Sequence, residues 1–252
     1  MDKKYDLHIH TCFSDGSMEP EEIVRRRAEE GYECIAITDH DGIRGSELCF
    51  EQELDKKYEI RIIPGIEFDS EDSLGKDMHI LGYYIDFSSD ALSKALSQID
   101  AWRNERNEIM LNMISRLGYD ITKEDVTAVN RGRYVGKPTL ARALKNKGLV
   151  PSYSYVFEEI FERPEFKNAG KNVYSSEEII KIIHAAGGKA VLAHPMEQIR
   201  TGEGENFEAF KPRLDVLLDR MLEYGIDGIE SGIHQPVSGS LNTLRDMRMH
   251  II

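Results

Sequence analysis

Hydrophobic and polar residues alternate along the first segment of the chain. Between Tyr5 and His10 the alternation has a period of two residues, which predicts a β-strand. Side chains of a strand point alternately to its two faces, so His8 and His10 project to the same side, with Cα atoms roughly 6.5–7 Å apart. This pair is a candidate metal site, although His-x-His also arises by composition alone.

The next segment predicts a helix and a second strand. The chain turns at Ser14-Asp15-Gly16, and Pro20 is well placed as the first residue of a helix that ends near Gly31. Residues 34–38 are mostly hydrophobic, which predicts a buried strand, and Asp39-His40-Asp41-Gly42 comes directly after it. Strand, helix and strand within about thirty-five residues are typical of a parallel crossover unit.

The same pattern recurs through much of the chain. Ser175-Ser176-Glu177-Glu178 is a capping box ahead of a hydrophobic helix, and Gly187-Gly188 ends that helix before a strand that leads to His194. Alternating strands and helices predict an α/β fold of the barrel type, with functional residues where the strands end. The other predicted elements are helices over residues 46–58 and 213–224 and strands over residues 60–63, 78–85, 190–193 and 226–230.

One long stretch departs from this pattern. Residues 95–171 contain helical patterns and no convincing strand. The predicted helices are residues 99–117, which end at Gly118, residues 138–147, which end at Gly148, and residues 154–162. We therefore expect an all-helical insert at residues 95–171 in an α/β body formed by residues 1–94 and 172–252.

The charge of the chain limits its partners. It has 45 acidic and 32 basic residues and a formal net charge of -13, so binding of long duplex nucleic acid is not expected. The sequence has no membrane-length hydrophobic run and no signal-like segment. Its three cysteines lack Cys-x-x-Cys spacing, which favours a reducing compartment. We expect a cytoplasmic protein without a membrane partner, and the sequence leaves its oligomeric state open.

Histidine and acidic residues gather on the predicted strands or just beyond them. They are His8, His10, His40, His79, His194, Asp15, Asp39, Asp41 and Glu67. Alone, His79 has a core histidine and Glu67 a solvated loop residue as its competing interpretation. Asp39 and Asp41 are best explained as residues that shape a turn. Together, imidazoles and carboxylates without thiolates indicate a site for two or three divalent ions, with zinc, manganese and iron as candidates.

The order of these motifs resembles the polymerase and histidinol phosphatase (PHP) family. Within it, the chain is most similar to bacterial phosphoesterases that act on nucleoside 3',5'-bisphosphates and short oligoribonucleotides. The resemblance implies a distorted seven-stranded (β/α)7 barrel with a helical insert and up to three bound metal ions. The segments that carry it are Asp6-Leu7-His8-Ile9-His10-Thr11, Ser14-Asp15-Gly16, Thr38-Asp39-His40-Asp41, Pro64-Gly65-Ile66-Glu67, His79-Ile80-Leu81-Gly82 and Ala193-His194-Pro195.

The resemblance also assigns metal ligands residue by residue. The residues that it places on the ions are His8, His10, Asp15, His40, Glu67, His79 and His194. In this assignment, His8, His10 and Glu67 hold a first ion. Glu67 also binds a second ion, which is held by His79 and His194. Asp15 and His40 hold a third ion. Glu67 and His40 are therefore the expected catalytic residues.

In the predicted insert the chain departs from the family pattern. Family members often carry Gly-Arg-Pro-His where this chain has Gly136-Lys137-Pro138-Thr139. Lysine keeps a phosphate-binding charge without the bidentate fork of arginine, and threonine cannot replace an imidazole as a proton donor. Arg131, Arg133 and Lys137 form the most basic cluster near this position and are the expected substrate-binding residues. A solvated surface loop is the alternative interpretation of this cluster.

A second departure concerns the last strand. In the family this strand carries Gly-Ser-Asp-x-His, whose Asp and His bind metal ions. The C-terminal region here lacks the motif and stops at Met249-His250-Ile251-Ile252, which resembles the beginning of that strand. We expect a truncation of a longer protein, because a barrel without its closing strand has an exposed edge. Loss of two ligands is the alternative.

The expected activity is hydrolysis of phosphate esters of small nucleotides by attack of a metal-bound hydroxide. The expected partner is accordingly a small phosphorylated substrate, most simply a nucleotide. One alternative is another hydrolase reaction, on histidinol phosphate or, as in amidohydrolases, on a C–N bond. The other is a non-catalytic protein that binds metal or ligand, because the final Ser-Asp-x-His ligands are absent.

Overall fold

A mixed β-sheet forms the centre of the molecule. The computed structural model describes residues 3–130, 135–167, 169–199, 207–230 and 250–251 of the 252-residue chain. Within these ranges the sheet has eight strands, in the order β1-β2-β3-β4-β6-β7-β8, with β5 paired to β3. The strands are β1 Lys4–Ile9, β2 Tyr32–Ile37, β3 Arg61–Glu71, β4 Asp77–Tyr83, β5 Tyr174–Ser175, β6 Lys189–Leu192, β7 Gly228–Ile229 and β8 His250–Ile251.

Helices connect the strands and also form the long segment between β4 and β5. The capping box at the start of α9 is confirmed, since Ser175 and Glu178 bond to each other's backbone N–H groups. The helices are α1 Pro20–Glu29, α2 Arg44–Glu51, α3 Leu54–Lys57, α4 Asp90–Arg116, α5 Lys123–Asn130, α6 Lys137–Asn146, α7 Tyr153–Tyr155, which continues as a π-helical segment Val156–Phe161, α8 Pro164–Lys167, α9 Ser176–Ala185, α10 Pro195–Ile199 and α11 Phe207–Tyr224.

The strand directions differ from an all-parallel barrel. Strands β1, β2 and β3 are parallel, as are β6, β7 and β8, but β4 runs antiparallel to both β3 and β6. The reason is the connection after β3, where a short turn closes with a hydrogen bond from the Asp72 N–H to the Lys76 oxygen. A turn of this length can join only antiparallel neighbours, because a parallel crossover needs a dozen or more residues.

Several predicted elements have different bounds in the structure, and α4 and α11 begin earlier than predicted, at Asp90 and Phe207. The helix predicted over residues 46–58 is divided into α2 and α3, because Glu53 has a left-handed φ of 49°. The strand predicted over residues 60–63 continues as β3 to Glu71, so Glu67 lies within a strand rather than in a loop. Pro64-Gly65 does not end β3, since Pro64 pairs in parallel with Ile37 and Gly65 pairs with Tyr83 of β4.

Hydrophobic side chains form separate clusters on the sheet and among the helices of the long segment. One cluster packs α9 and α11 against β3 and β4, with Phe68, Ile80 and Ile183 fully buried. Another, including Ile114 and Leu140, lies within the helices between β4 and β5. Helix α4 joins the two, since its first half contributes to the sheet cluster and its second half to the helical one. In the described ranges no helix has the length and apolar composition needed to cross a bilayer.

Candidate metal centre

A buried glutamate lies at the centre of the predicted site. Glu67 of β3 is 1% exposed, and its backbone extends the pairing of β2 and β3 beyond the last residue of β2. The Asp41 N–H donates to the Glu67 oxygen at 2.7 Å, and the Glu67 N–H donates to the Asp39 oxygen at 3.2 Å. This continued pairing places His40 directly beside Glu67.

Five imidazoles surround the Glu67 carboxylate. The nearest nitrogens of His79 and His194 lie 3.1 and 3.2 Å from Glu67 Oε1. The Nε2 atoms of the other three lie 3.1–3.4 Å from Glu67 Oε2. Neighbouring ring centroids are 4.6–5.8 Å apart, so the rings form a closed circle around the carboxylate. In order around the circle they are His8, His10, His40, His79 and His194.

The donor set around Glu67 suits divalent cations. Glu67 Oε2 is buried and has no hydrogen-bond partner among the described residues, although three imidazole nitrogens lie close to it. A buried carboxylate oxygen without a donor is unfavourable, and a cation between it and the imidazoles would compensate. Four groups of ligand atoms each lie close enough together to hold an ion: His8–His10–Glu67, His10–Asp15–His40, His40–Asp69–His79 and Glu67–His79–His194.

The charges in the site are strongly coupled. Burial opposes ionisation of Glu67, but the surrounding imidazoles, led by His10 and His194, hold its pKa far below the usual range. Burial also disfavours the protonated form of His8, yet Glu230 and Glu67 outweigh it and raise the pKa of His8 to about 10. Against the same burial, Asp15 and Glu67 raise the pKa of His10 to about 9. Divalent cations bound here would displace these imidazole protons.

A second set of carboxylates contacts the outer nitrogens of three imidazoles. His8 Nδ1 lies 3.1 Å from Glu230 Oε1, and His10 Nδ1 lies 3.0 Å from Asp15 Oδ1. His40 Nδ1 lies 2.8 Å from Asp69 Oδ1. A carboxylate on one ring nitrogen fixes the tautomer of an imidazole and turns its other nitrogen toward a metal. All three rings present Nε2 to the same Glu67 oxygen.

The backbone around His194 is held in an unusual conformation. His194 has a positive φ of 26°, which is sparsely populated for a residue with a side chain. Its N–H donates to Glu230 Oε2 at 2.7 Å. Glu230 therefore fixes the His8 ring on β1 and the His194 backbone after β6 at the same time.

Hydrogen bonds to Asp39 hold the loop that carries Asp15. The carboxylate of Asp39, which is 1% exposed, accepts bonds from the Thr11 N–H, the Thr11 hydroxyl and the Ser14 hydroxyl, each at 2.7 Å. Gly16 closes the turn, since a Cβ at this position would lie 2.4 Å from the His10 oxygen. Asp39 therefore holds a loop from another part of the chain, in addition to the turn that it was predicted to shape.

A buried ion pair connects this site to the helical segment. Arg103 of α4 donates to Asp41 Oδ2 at 2.6 Å, and Asp41 Oδ1 accepts the Asp69 N–H at 3.0 Å. Asp69 in turn contacts the His40 ring. Burial and the nearby charge of Asp69 raise the pKa of Asp41, while Arg103 opposes that shift. A continuous chain of contacts therefore runs from α4 to the imidazole of His40.

Of the three predicted substrate-binding residues, Lys137 lies in the part of the chain that the structure describes. Arg131 and Arg133 lie outside the described residues. Lys137 is the first residue of α6 and is half-buried, with its ammonium group 5.6 Å from the centroid of the Phe161 ring. Together with His79 and His194 it lines a cleft of about 760 Å³ next to the metal centre.

Sequence reasoning did not identify Asp69 or Glu230. Asp69 follows Glu67 by two residues on β3 and pairs with His79 across the sheet, so it lies on the same face. That relation becomes visible only when β3 is known to continue past Glu67. Glu230 lies at the end of a predicted strand, as the predicted site residues do. Its position could therefore have identified it as a candidate.

Comparison with known proteins agrees with this geometry. The sequence profile of the PHP domain matches residues 6–230. The 5'-3' exoribonuclease Rnm of Escherichia coli is 31% identical over 191 residues, which are 76% of this chain and 65% of that protein. This chain thus spans less than two thirds of that relative's length. The 3',5'-nucleoside bisphosphate phosphatase of Chromobacterium violaceum is 29% identical over 192 residues, 75% of this chain and 66% of the phosphatase.

A solved structure shares the fold. The crystal structure of a proposed metal-dependent phosphoesterase from Bifidobacterium adolescentis superposes with a TM-score of 0.78 at 25% identity. The superposition covers 99% of this chain and 85% of that one. The profile match alone extends over most of the chain, from within β1 to just beyond β7. The chain therefore belongs to the PHP domain family, the phosphoesterase family that its strand-end motifs resemble.

Proposed function

We propose that this protein is a metal-dependent phosphoesterase that hydrolyses phosphate esters of small nucleotides. The observation that carries the proposal is the position of Glu67, whose two carboxylate oxygens face two separate sets of imidazoles. A carboxylate in this position can bridge two ions, which is a recurring arrangement in enzymes that displace groups at phosphorus.

We assign the ions to the groups of ligand atoms on the two sides of Glu67. One group is His8, His10 and Glu67, and another is Glu67, His79 and His194. Asp15 and His40, with His10 between them, form a third. Manganese, zinc and iron all accept such imidazole and carboxylate ligands. In this proposal the catalytic residues are Glu67, which two of these groups share, and His40, whose Nε2 lies 3.4 Å from Glu67 Oε2.

Divalent ions, when bound, supply Lewis acidity and a nucleophile that is available at neutral pH. The residues of the chain then have three tasks. The imidazole circle and Glu67 fix the positions of the cations, while Glu230 and Asp69 hold two of the rings in one tautomer. Cationic residues of the helical segment bind the phosphorylated substrate, and Lys137 is the predicted substrate-binding residue that the structure describes beside the metal centre.

The nucleotide part of the proposal is supported by the relatives. One relative is an exoribonuclease and another is a nucleoside bisphosphate phosphatase. The two have nearly the same sequence identity to this chain. Hydrolysis of histidinol phosphate, an amidohydrolase-like reaction and a non-catalytic binding role are the alternatives. A cleft wall with several cations favours an anion with more than one charged group over histidinol phosphate.

We further propose that residues 95–171 form a helical insert in a barrel domain made of residues 1–94 and 172–252. The separate hydrophobic cluster of the helices between β4 and β5 supports this division. Their position beside the cleft supports a role in substrate binding. In this arrangement the sheet provides the metal centre and the helices provide a wall of the substrate cleft.

The proposal is tested by removing and restoring the metal. We expect hydrolysis of adenosine 3',5'-bisphosphate to disappear after chelation and to return with added manganese. We expect His8→Ala to abolish hydrolysis, because it removes one of the three ligands in the group His8–His10–Glu67. His184→Ala is the matched control, since His184 pairs with Asp227 outside the imidazole circle. Full activity without metal, or in His8→Ala, would falsify the proposal. Preference for histidinol phosphate in a competition assay would instead support that alternative.

A further inference from the structure

The aspartate that follows His40 bonds to two residues of β3. Asp41 has a left-handed φ of 49°, which is sparsely populated for a residue with a side chain. In this conformation its N–H donates to the Glu67 oxygen at 2.7 Å, and its Oδ1 atom accepts the Asp69 N–H at 3.0 Å. Asp41 therefore joins the chain after β2 to the two residues of β3 whose carboxylates contact the His40 ring.

Helix α4 holds the carboxylate of Asp41 from the other side. Arg103 donates to Asp41 Oδ2 at 2.6 Å, and the Asp41 side chain is 6% exposed. Arg103 lies between Ile99, which packs in the cluster on the sheet, and Met110, which packs in the cluster of the helical segment. The ion pair therefore lies where α4 passes from one cluster to the other.

A shift of Asp41 would reach the His40 ring through Asp69. Asp69 Oδ1 lies 2.8 Å from His40 Nδ1, and the opposite ring nitrogen, Nε2, lies 3.4 Å from Glu67 Oε2. A carboxylate on one nitrogen of an imidazole determines the direction in which the other nitrogen points. Since the Asp69 N–H is bonded to Asp41, the ion pair with Arg103 helps to determine where His40 Nε2 points.

The His40 ring belongs to the group of ligand atoms His10–Asp15–His40. Asp15 is exposed, so the two rings provide most of the rigidity of this group. Arg103 and Asp41 are not members of the group, and they can affect it only through the position of His40. The direction of the His40 ring therefore decides how well these three residues can hold a cation.

We propose that Arg103 and Asp41 are positioning residues for the third cation of the centre, and that they act on it through Asp69 and the His40 ring. The inference rests on the proposed function and adds to it two residues that supply no metal ligand. It also couples the packing of α4 on the sheet to the third cation, because one ion pair serves both. Such a coupling is reciprocal, so each of the two stabilises the other.

The test counts bound manganese ions and measures their affinities by competition with a chelating dye. We expect Arg103→Met to bind one of three ions about tenfold more weakly and the other two as before, because a positioning contact of one ligand is lost. Arg116→Met, an exposed arginine of the same helix, is the matched control. Arg103→Lys keeps the charge and a donor for Asp41, so it should recover part of the loss.

A second variant changes the same ion pair from the sheet side. Asp41→Asn keeps an oxygen for the Asp69 N–H but removes the charge that faces Arg103, and we expect the same selective loss of one ion. It keeps the test decisive if Arg103→Met does not fold. Unchanged binding in a folded variant, or an equal loss at every ion, would overturn the proposal.

An Asp15→Ala background identifies the ion concerned. Of the four groups of ligand atoms among the described residues, Asp15 belongs only to His10–Asp15–His40, so its removal eliminates that position. We expect Arg103→Met to change the affinity of the remaining ions less than twofold in this background, because the two substitutions act on the same ion. A tenfold loss there would overturn the inference, since Arg103 would then act on another position.

These measurements need no hydrolysis, so they separate the inference from the proposed function. Selective loss of one ion, in a protein whose unchanged form does not hydrolyse adenosine 3',5'-bisphosphate, would reject the phosphoesterase proposal and retain Arg103 as a positioning residue. An unchanged protein that hydrolyses the bisphosphate with only two bound ions would reject the inference and retain the phosphoesterase.

Discussion

The sheet and the helical segment contribute opposite charges to adjoining sites. The strand ends gather five imidazoles around Glu67, with further carboxylates behind three of the rings. The helices between β4 and β5 contribute Arg106, Lys137 and Lys167 to the neighbouring cleft. The first set is suited to cations and the second to anions. A phosphate ester needs both kinds of site, because its charged oxygens must be bound while phosphorus is attacked.

The two regions also differ in how firmly their side chains are held. The residues of the metal centre lie on paired strands or directly beyond them, and Glu67 is fixed by backbone hydrogen bonds to the chain after β2. The lysines of the cleft are long side chains, and Lys167 is exposed. Substitutions on the sheet side should therefore cause large losses, whereas those on the helical side should change affinity by smaller steps.

The largest effect is expected from Glu67→Ala. The substitution removes the carboxylate shared by both groups of imidazoles, so both ions should be lost or displaced. Lewis-acid stabilisation contributes several kcal/mol, and we expect kcat to fall by about a thousandfold or more. The measurement is a steady-state assay with bound metal quantified in the same samples.

Glu33→Ala on the neighbouring strand is the control for Glu67→Ala. Glu33 is an exposed residue that pairs with Lys3 outside the site. Circular dichroism should establish that both variants are folded. Retained metal and near-normal kcat in a folded Glu67→Ala protein would show that the imidazoles alone define the centre. The contrast between the firmly held sheet residues and the mobile side chains of the cleft would then lose its main support.

The meeting of five imidazoles around Glu67 was largely predictable from sequence, for a physical reason. A strand has a two-residue period, so His8 and His10 had to share a face. The carboxyl ends of β1 and β2 lie side by side in a parallel sheet, which brings His40 to the same place. The order of the motifs then indicated Glu67, His79 and His194. The structure confirms that these side chains meet, while their roles as ligands stay a prediction.

The contacts around the centre were harder to predict. Pro64-Gly65 indicated the end of a strand, so β3 was predicted too short and Asp69 was not considered. The cation cluster depends on how α4, α6 and α8 pack, and no local period relates Arg106 to Lys167. Partners separated by sixty residues become visible only after the helices are placed. Sequence patterns predict the faces of single elements better than contacts between helices.

The second-largest effect is expected at the junction of the two regions. Arg103→Met would leave Asp41, 8% exposed, without the guanidinium that bonds to its Oδ2 atom. Breaking a buried ion pair by removing one partner is strongly destabilising, and we expect a loss of about 3 kcal/mol in the free energy of unfolding. The measurement is urea denaturation, with exposed Arg116→Met of the same helix as the control. Equal midpoints for the two variants would mean that α4 does not depend on this pair.

The smallest of these effects is expected from Glu230→Gln. This variant is also the sharpest test of the comparison between the sheet and the helical segment. Glutamine keeps the size of the side chain but has one carbonyl oxygen, so it cannot accept the His194 N–H and orient the His8 ring equally well. It also removes the charge that favours a proton on His8 Nδ1 and leaves Nε2 for a cation. We expect manganese affinity to fall by about ten- to a hundredfold while the protein stays folded.

Competition with a chelating dye measures the manganese affinity of Glu230→Gln. Glu223→Gln, an exposed residue of α11, is the matched control. A variant with Lys167→Gln and Lys171→Gln together should leave manganese affinity unchanged, because these lysines line the cleft and offer no ligand to the groups around Glu67. If Glu230→Gln bound manganese normally and the lysine variant did not, the assignment of cation binding to the sheet and anion binding to the helices would be wrong. If both predictions hold, side-chain substitutions can change one region without the other, and phosphate selectivity can be altered without disturbing cation binding.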